Sequence, residues 1–252
     1  MTPVIIEEVQ KKKMTIDLDS TPLTLPLAIR EKHQLCWDEQ KKQNSSLHNG
    51  VVFTITNMKR TPKELSVTVA KSDYKHYLYT INNKNCEYPC KVIYACAAVI
   101  TKDRHLVIGR MNTQTSTPGR LQFPGGGIDE TDLKGTILDL QGNMNKEIKE
   151  EIGINIHSPS VRSFSPKFLK HGGAHDFWVI IFEMLIEYTV GELKTSFSNH
   201  NKRLTKLGIQ PEFAEILFVP LHIDKIEPFI KHEQSPKVDY LLPILLKYVE
   251  NF

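Results

Sequence analysis

Apolar residues along this chain fall mostly into short runs and alternations. Val92 to Ile100 is a continuous apolar run suited to a central strand, and Leu106 to Gly109 is its expected hairpin partner across Lys102-Asp103-Arg104. Val161 to Lys170 and the strongly apolar Phe177 to Tyr188 read as further strands, and Ile216 to Val219 as a short one. Helices are expected near 222 to 231 and 236 to 250. Upstream, residues 26 to 43 hold Leu27, Ile29, Leu35 and Trp37 among charges, a helix candidate without a clean apolar stripe. After Asn49-Gly50, apolar residues largely alternate in Val51 to Thr56, Glu64 to Lys71 and Tyr74 to Ile81. This predicts a helix followed by a small antiparallel sheet. Asn82-Asn83-Lys84-Asn85 marks a turn or linker, and a domain boundary is placed near residue 88. Residues 1–88 then form an amino-terminal helix-and-sheet subdomain and 89–252 the main domain. Periodicity by itself supports only a mixture of α and β.

At 252 residues the chain can bury a full core, in one large domain or two unequal ones. The formal net charge of +3 gives no argument for a nucleic-acid surface, and the Lys11-Lys12-Lys13 run reads as solvated. No apolar stretch approaches the length that crosses a bilayer. The first residues are acidic and interrupted where a signal peptide would be basic and then apolar, so a cytoplasmic protein is expected. Cys36, Cys86, Cys90 and Cys96 are too few and too irregular for a disulfide framework. Cys86 and Cys90 would need two more ligands to hold zinc. His76 and Cys96 could be recruited, but buried or inert thiols are the preferred reading.

The chemistry concentrates in Lys146-Glu147-Ile148-Lys149-Glu150-Glu151-Ile152-Gly153-Ile154. At roughly 100° per residue, Glu147, Glu150 and Glu151 share one side of a helix, while Ile148 and Ile152 point towards a core. Like charges gathered so closely repel, and a divalent cation would turn that repulsion into coordination. Oxygen-only ligands select hard metals, Mg²⁺ first and Mn²⁺ second, so the substrate should carry phosphate.

With the preceding Phe123-Pro124-Gly125-Gly126-Gly127, the segment resembles the Nudix box, Gly-x5-Glu-x7-Arg-Glu-aliphatic-x-Glu-Glu-x-Gly-aliphatic. The carboxyl-terminal half matches at Glu147, Ile148, Glu150, Glu151, Gly153 and Ile154, with Lys146 in place of arginine. The amino-terminal half is looser. Counting from Gly126 puts Asp132 at the first acidic position, with Asp129 and Glu130 as competitors, and Leu133 to Asn145 is longer than the pattern allows, as if six residues were inserted. Gly119-Arg120-Leu121-Gln122-Phe123-Pro124-Gly125-Gly126 resembles the family's lead-in, with Leu121 where a tryptophan is usual. Leu27 to Ile55 looks like the amino-terminal extension of Nudix proteins related to uridine diphosphate glucose pyrophosphatases.

The resemblance implies an α+β fold, a Nudix-type α/β/α sandwich with a mixed sheet, preceded by the small α+β subdomain. It implies a pyrophosphohydrolase acting on a phosphoanhydride. Glu147, Glu150 and Glu151 would hold metal, with Glu147 an alternative base and Gly126 an additional metal contact. Lys146 would orient a glutamate, keeping arginine's charge but not its two-pronged geometry. The family often draws its base from a loop outside the box, and Glu212 and Glu215, just ahead of Ile216, fit that position. Gly125 and Gly126 could approach metal or phosphate through their backbone, or serve only the turn. Arg110 and His175, the latter in the glycine-rich loop 170–176, are candidate substrate contacts, with a surface arginine and a hairpin loop as the plainer alternatives. Trp178 and Phe177 favour core packing over base stacking. The leading substrate is a nucleoside diphosphate derivative, especially a nucleotide sugar such as UDP-glucose. ADP-ribose, dinucleoside polyphosphates and nucleoside triphosphates are alternatives. A Nudix-fold ligand sensor without hydrolysis is the competing class, and nothing supports an isomerase. No nucleic-acid or membrane partner is expected, and a homodimer is left open.

Overall fold

The computed structural model describes residues 2–45, 47–83 and 86–250. In chain order its elements are β1 (Thr2–Glu8), β2 (Lys13–Leu18), α1 (Leu27–Gln43), β3 (Val51–Arg60), β4 (Glu64–Asp73), α2 (Tyr74–Asn82), β5 (Ile93–Ile100), β6 (His105–Met111), β7 (Leu121–Gln122) and β8 (Gly125–Gly127). There follow β9 (Leu133–Lys134), β10 (Ile137–Leu138), α3 (Leu140–Ile152), β11 (Val161–Gly173), β12 (Trp178–Ile186), α4 (Val190–Lys206), β13 (Phe213–Pro220), α5 (Ile223–His232) and α6 (Leu241–Glu250). Among the described residues no helix is long and apolar enough to cross a membrane.

Two sheets organise these elements. The larger runs β1-β11-β12-β5-β6-β13, with β7 paired to β6 and β8 to β5; the smaller runs β3-β4-β2-β10-β9. Because strand side chains alternate between faces, β5 sends Ile93, Ala95, Ala97 and Val99 into one core and Cys96, Ala98 and Ile100 into another. Burial on both faces is why this segment reads as an unbroken apolar run. The first core joins the small sheet, through Ile16, Phe53 and Val67, to Met144, Ile148 and Ile152 of α3. Across the large sheet, Ile226 of α5 and Leu241, Ile244 and Leu245 of α6 close the second core. The result is a mixed α+β sandwich, with β12 and β5 parallel at its centre.

Several elements depart from the sequence reading. Tyr74 to Ile81 is a helix, not a third strand of a hairpin sheet. Asp73 caps it by accepting from the His76 amide at 3.0 Å, and the His76 ring stacks on His33 of α1 at 4.6 Å. The cap and the packing against α1 override the strand preference of the tyrosines. The small sheet is mixed: β3 pairs antiparallel with β4, but β2 pairs parallel with it. β1, β2 and α4 were not anticipated. The apparent insertion before the motif helix is structured, with β9 and β10 forming a small hairpin whose Ile137 lies opposite Asp17 of β2. Of the expected turn, Asn82 ends α2, and Lys84 and Asn85 lie outside the described residues. Strands on either side of residue 88 share both sheets, β1 pairing with β11 and β2 with β10.

Candidate active site

The motif helix α3 starts at Asp139, whose carboxylate accepts from the Gly142 amide at 3.1 Å, and ends at Gly153, whose φ of 76° is the left-handed stop that glycine allows. Met144, Ile148 and Ile152 recur every fourth residue and anchor one face in the core. Glu147 and Glu151, also four apart, share the face beneath β8.

The glycines of β8 make that approach possible. A side chain on Gly125, at φ 144°, would meet the Ala95 carbonyl oxygen at 2.4 Å, and one on Gly126 would meet Glu147 Oε2 at 2.5 Å. The Gly125 amide donates to Glu151 Oε2 at 2.6 Å. Glu151 is only 2% exposed, and its other oxygen, Oε1, is buried without a hydrogen-bond partner. Burial, then repulsion from Glu212, Glu147 and Glu150, pushes its carboxyl well above the usual range. Burial likewise pushes Glu147 up to about 7, with Glu150, Glu212 and Asp132 adding to the effect and Lys146 opposing it. Glu150 itself is exposed.

Lys146 is held by Asp129 at 2.9 Å and Asp132 at 3.5 Å, with Glu147 at 3.9 Å. Of the three candidates for the first acidic position, Asp132 is buried and accepts from the Asp129 amide and the Asn143 side chain, both at 2.9 Å. Glu130 turns away to pair with Lys71 at 2.6 Å. The amino-terminal acids therefore form a polar brace for Lys146.

Glu212 and Glu215 part company. An odd separation along an extended segment sends side chains to opposite faces, and a bulge between Phe213 and Glu215 accompanies the change. Glu212 lines the cleft beside β8, and burial, reinforced by Glu150, raises its carboxyl. Glu215 lies opposite Arg110 in the sheet and binds its Nε at 2.5 Å. Arg110 also reaches Glu233 at 3.1 Å and Ser235. Arg110 and Glu215, read as a substrate contact and a base, meet each other and line no part of this cleft. The acid that faces the motif helix is Glu212.

The cleft has a volume of about 770 Å³ and is lined from both halves of the chain; Glu212 and the glycines of β8, which cover Glu147 and Glu151, belong to its lining, while the acids of α3 lie behind β8. Gly125, Gly126 and His175 line it. The sequence reading did not single out Arg120, Tyr77 or Lys170, which line it as well. Arg120 stood within the recognised lead-in, where its position directly before a buried leucine was the available signal. Tyr77 gave none, because its segment read as a strand. Lys170 is 1% exposed, and a lysine ending an apolar strand was the clue. Phe177, expected in the core, stacks on Tyr77 at 5.5 Å and lines the cleft, whereas Trp178 is buried in the first core.

The donor set suits a hard divalent cation: carboxylates crowded enough to raise one another, and a buried Glu151 oxygen lacking a partner. Among the described residues no three His, Cys, Asp or Glu side chains converge as a ready-made metal cage. Mg²⁺ needs no such cage, since it usually keeps several waters and takes one or two carboxylates together with substrate phosphate.

No protein-family model matches the chain, and comparison with curated proteins gives no match. Solved structures do match. The MutT protein from Methanosarcina mazei is 17% identical, with a TM-score of 0.40, over 66% of this chain and 98% of its own. A Nudix-family hydrolase from Clostridium perfringens is 11% identical, with a TM-score of 0.36, over 63% of this chain and 96% of its own. The pyrophosphohydrolase BsRppH from Bacillus subtilis is 15% identical, with a TM-score of 0.33, over 63% of this chain and 80% of its own.

Proposed function

We propose that the chain is a metal-dependent Nudix diphosphohydrolase. It cleaves a nucleoside diphosphate linked to another moiety, foremost a nucleotide sugar such as UDP-glucose, to a nucleoside monophosphate and a sugar phosphate. The observation that carries this reading is the placing of Glu147 and Glu151 against the Gly125-Gly126 turn, which together with Glu212 lines a cleft large enough for such a ligand.

Glu147 and Glu151 would hold Mg²⁺ or Mn²⁺, with Gly126 offering a backbone contact and Glu150 a further carboxylate; bound there, the cation would neutralise charge on the phosphoanhydride oxygens. Glu212 comes from outside the motif, directly before β13. Its carboxyl, raised by burial and Glu150 against the pull of Arg120, can accept a proton from a water placed against the phosphoanhydride. Glu147 remains the alternative base, with a carboxyl near 7. Lys146, tied to Asp129 and Asp132, keeps positive charge beside Glu147 and favours its ionised form.

The test is a product panel with Mg²⁺ across UDP-glucose, other nucleotide sugars, ADP-ribose, dinucleotides and triphosphates, with the nucleoside monophosphate formed resolved by chromatography, run on the native chain, Glu151→Gln and Glu212→Gln. Turnover of one class, lost in both variants, is the expected result. The sensor reading has in its favour Lys146 where the pattern has arginine, Asp132 where it has glutamate, and the inserted residues between them. Silence across the panel together with ligand-induced thermal stabilisation would establish it instead.

A further inference from the structure

Glu212 and the glycines of β8 account for one part of the cleft lining; the rest has its own chemistry. Arg120 donates through Nη2 to Gln122 Oε1 at 2.6 Å, yet its Nε is buried without a hydrogen-bond partner. Thr117 Oγ1 is in the same condition, and both residues line the cleft. A buried guanidinium nitrogen and a buried hydroxyl left unsatisfied are costly unless a ligand completes them, and the ligand a guanidinium fork selects is phosphate or carboxylate. Arg120 is close enough to act electrostatically on Glu212, on Tyr77 and on Tyr94. It therefore lies within reach both of Glu212 and of an aromatic wall.

That wall is a stack. Tyr77 lies on Phe177 at 5.5 Å and 28°, and Phe177 lies on His175 at 5.3 Å and 27°. Beside it, the Lys170 ammonium is fixed by Asp239 at 2.7 Å and by the Phe177 carbonyl at 3.1 Å. Donor and acceptor thus sit together next to a run of rings. A flat heterocycle with a polar edge extends such a stack, and a phosphate on its sugar would fall towards Arg120.

We infer that this side of the cleft is a nucleoside monophosphate subsite, in which Arg120 and Thr117 take the phosphate and the Tyr77–Phe177–His175 stack takes the base. The inference rests on the hydrolase reading only for which bond is cut. It assigns the nucleotide half of the substrate to a wall to which α2 contributes Tyr77, and leaves the other half to the solvent side of the acidic helix.

Binding can be tested without turnover. Uridine 5′-monophosphate, uridine and inorganic phosphate are titrated calorimetrically into the full chain in EDTA, with thermal unfolding confirming that each variant folds. The native chain should bind the nucleotide more tightly than either fragment. Arg120→Gln should weaken the nucleotide by about tenfold or more, as expected for a charge-assisted contact, and leave uridine unchanged. Arg120→Lys should fall between the two. Tyr77→Leu should weaken nucleotide and uridine alike and leave phosphate unchanged. If either variant fails to fold, Thr117→Val reports on the phosphate contact and His175→Ala on the stack. Unchanged nucleotide affinity in the folded variants, or no nucleotide binding by the native chain, overturns the subsite. Turnover of a nucleotide sugar without that binding would leave the hydrolase standing, and binding without turnover would leave the subsite standing.

Discussion

Glu147 is held where its charge is unwelcome, and that has a measurable consequence for stability. Its carboxyl sits at about 7 in the folded chain against 4.5 when unfolded. Between those values the folded state holds the proton more firmly, so this group favours folding at low pH and the benefit is lost as pH rises through 7. Glu147→Gln should therefore stabilise the metal-free protein by up to about 3 kcal/mol at pH 8 and by little at pH 5. Denaturant unfolding in EDTA at the two pH values measures the difference; an equal effect at both would show that the carboxyl is not strained. The same crowding predicts that Mg²⁺ added at pH 7 releases protons, detectable with an indicator dye in weak buffer, and that Glu147→Gln reduces the release. On the opposite side of the ledger, His33 is pushed down to about 4, first by burial and then by His76. The unfolded chain binds the proton that the folded chain refuses, so stability falls by about 2 kcal/mol from pH 7 to pH 5 through this group. His33→Phe should flatten that acid slope, leaving the opposite slope of Glu147 in view.

At the scale of elements, the hairpin before the motif helix decides more than its length suggests. Leu138 of β10 is 3% exposed in the first core, and the Leu18 amide of β2 donates to the Thr136 carbonyl at 2.7 Å. Leu138→Ala should cost about 2 to 4 kcal/mol in chemical denaturation. Because α3 begins at Asp139, directly after this hairpin, it should also loosen the cleft and lower turnover. The elements visible in the sequence were those whose burial is simple. β5, β12 and the isoleucine stripe of α3 each announce themselves by a run or a period. The lead-in and the Glu-x-x-Glu-Glu spacing located β8 and the acidic face together, because both are local in sequence. Elsewhere the deciding contact was remote. Nothing near Tyr74 says helix except Asp73. Thr189 and Glu192, which cap α4 reciprocally, are a legible capping box, with Leu193 and Phe197 following at helical spacing. The choice between Glu212 and Glu215 turned on a bulge that local pattern does not encode. Arg110 was drawn away by Glu215 and Glu233, one across the sheet and the other beyond it.

For the molecule as a whole, the first two strands belong to different sheets. β1 borders β11 in the large sheet, and β2 sits between β4 and β10 in the small one. Deleting residues 1–8 should therefore leave the edge of β11 unpaired and remove the Glu7 contacts to Arg60 at 2.8 Å and His171 at 2.6 Å. The expected outcome is a lower melting temperature with the acids of α3 still in place, checked by calorimetry alongside the product panel. The division of β1 and β2 also bears on synthesis. A ribosome delivers β2 and β4 early, yet the neighbour that completes their sheet lies at residues 137–138 and the partner of β1 at 161–173. The emerging amino-terminal strands must wait, edges open, until the motif helix and the strand after it have left the tunnel. Folding of this chain is consequently timed by the segment from β10 to β11, and a pause in translation just before that segment would lengthen the interval in which those open edges can capture a neighbouring chain.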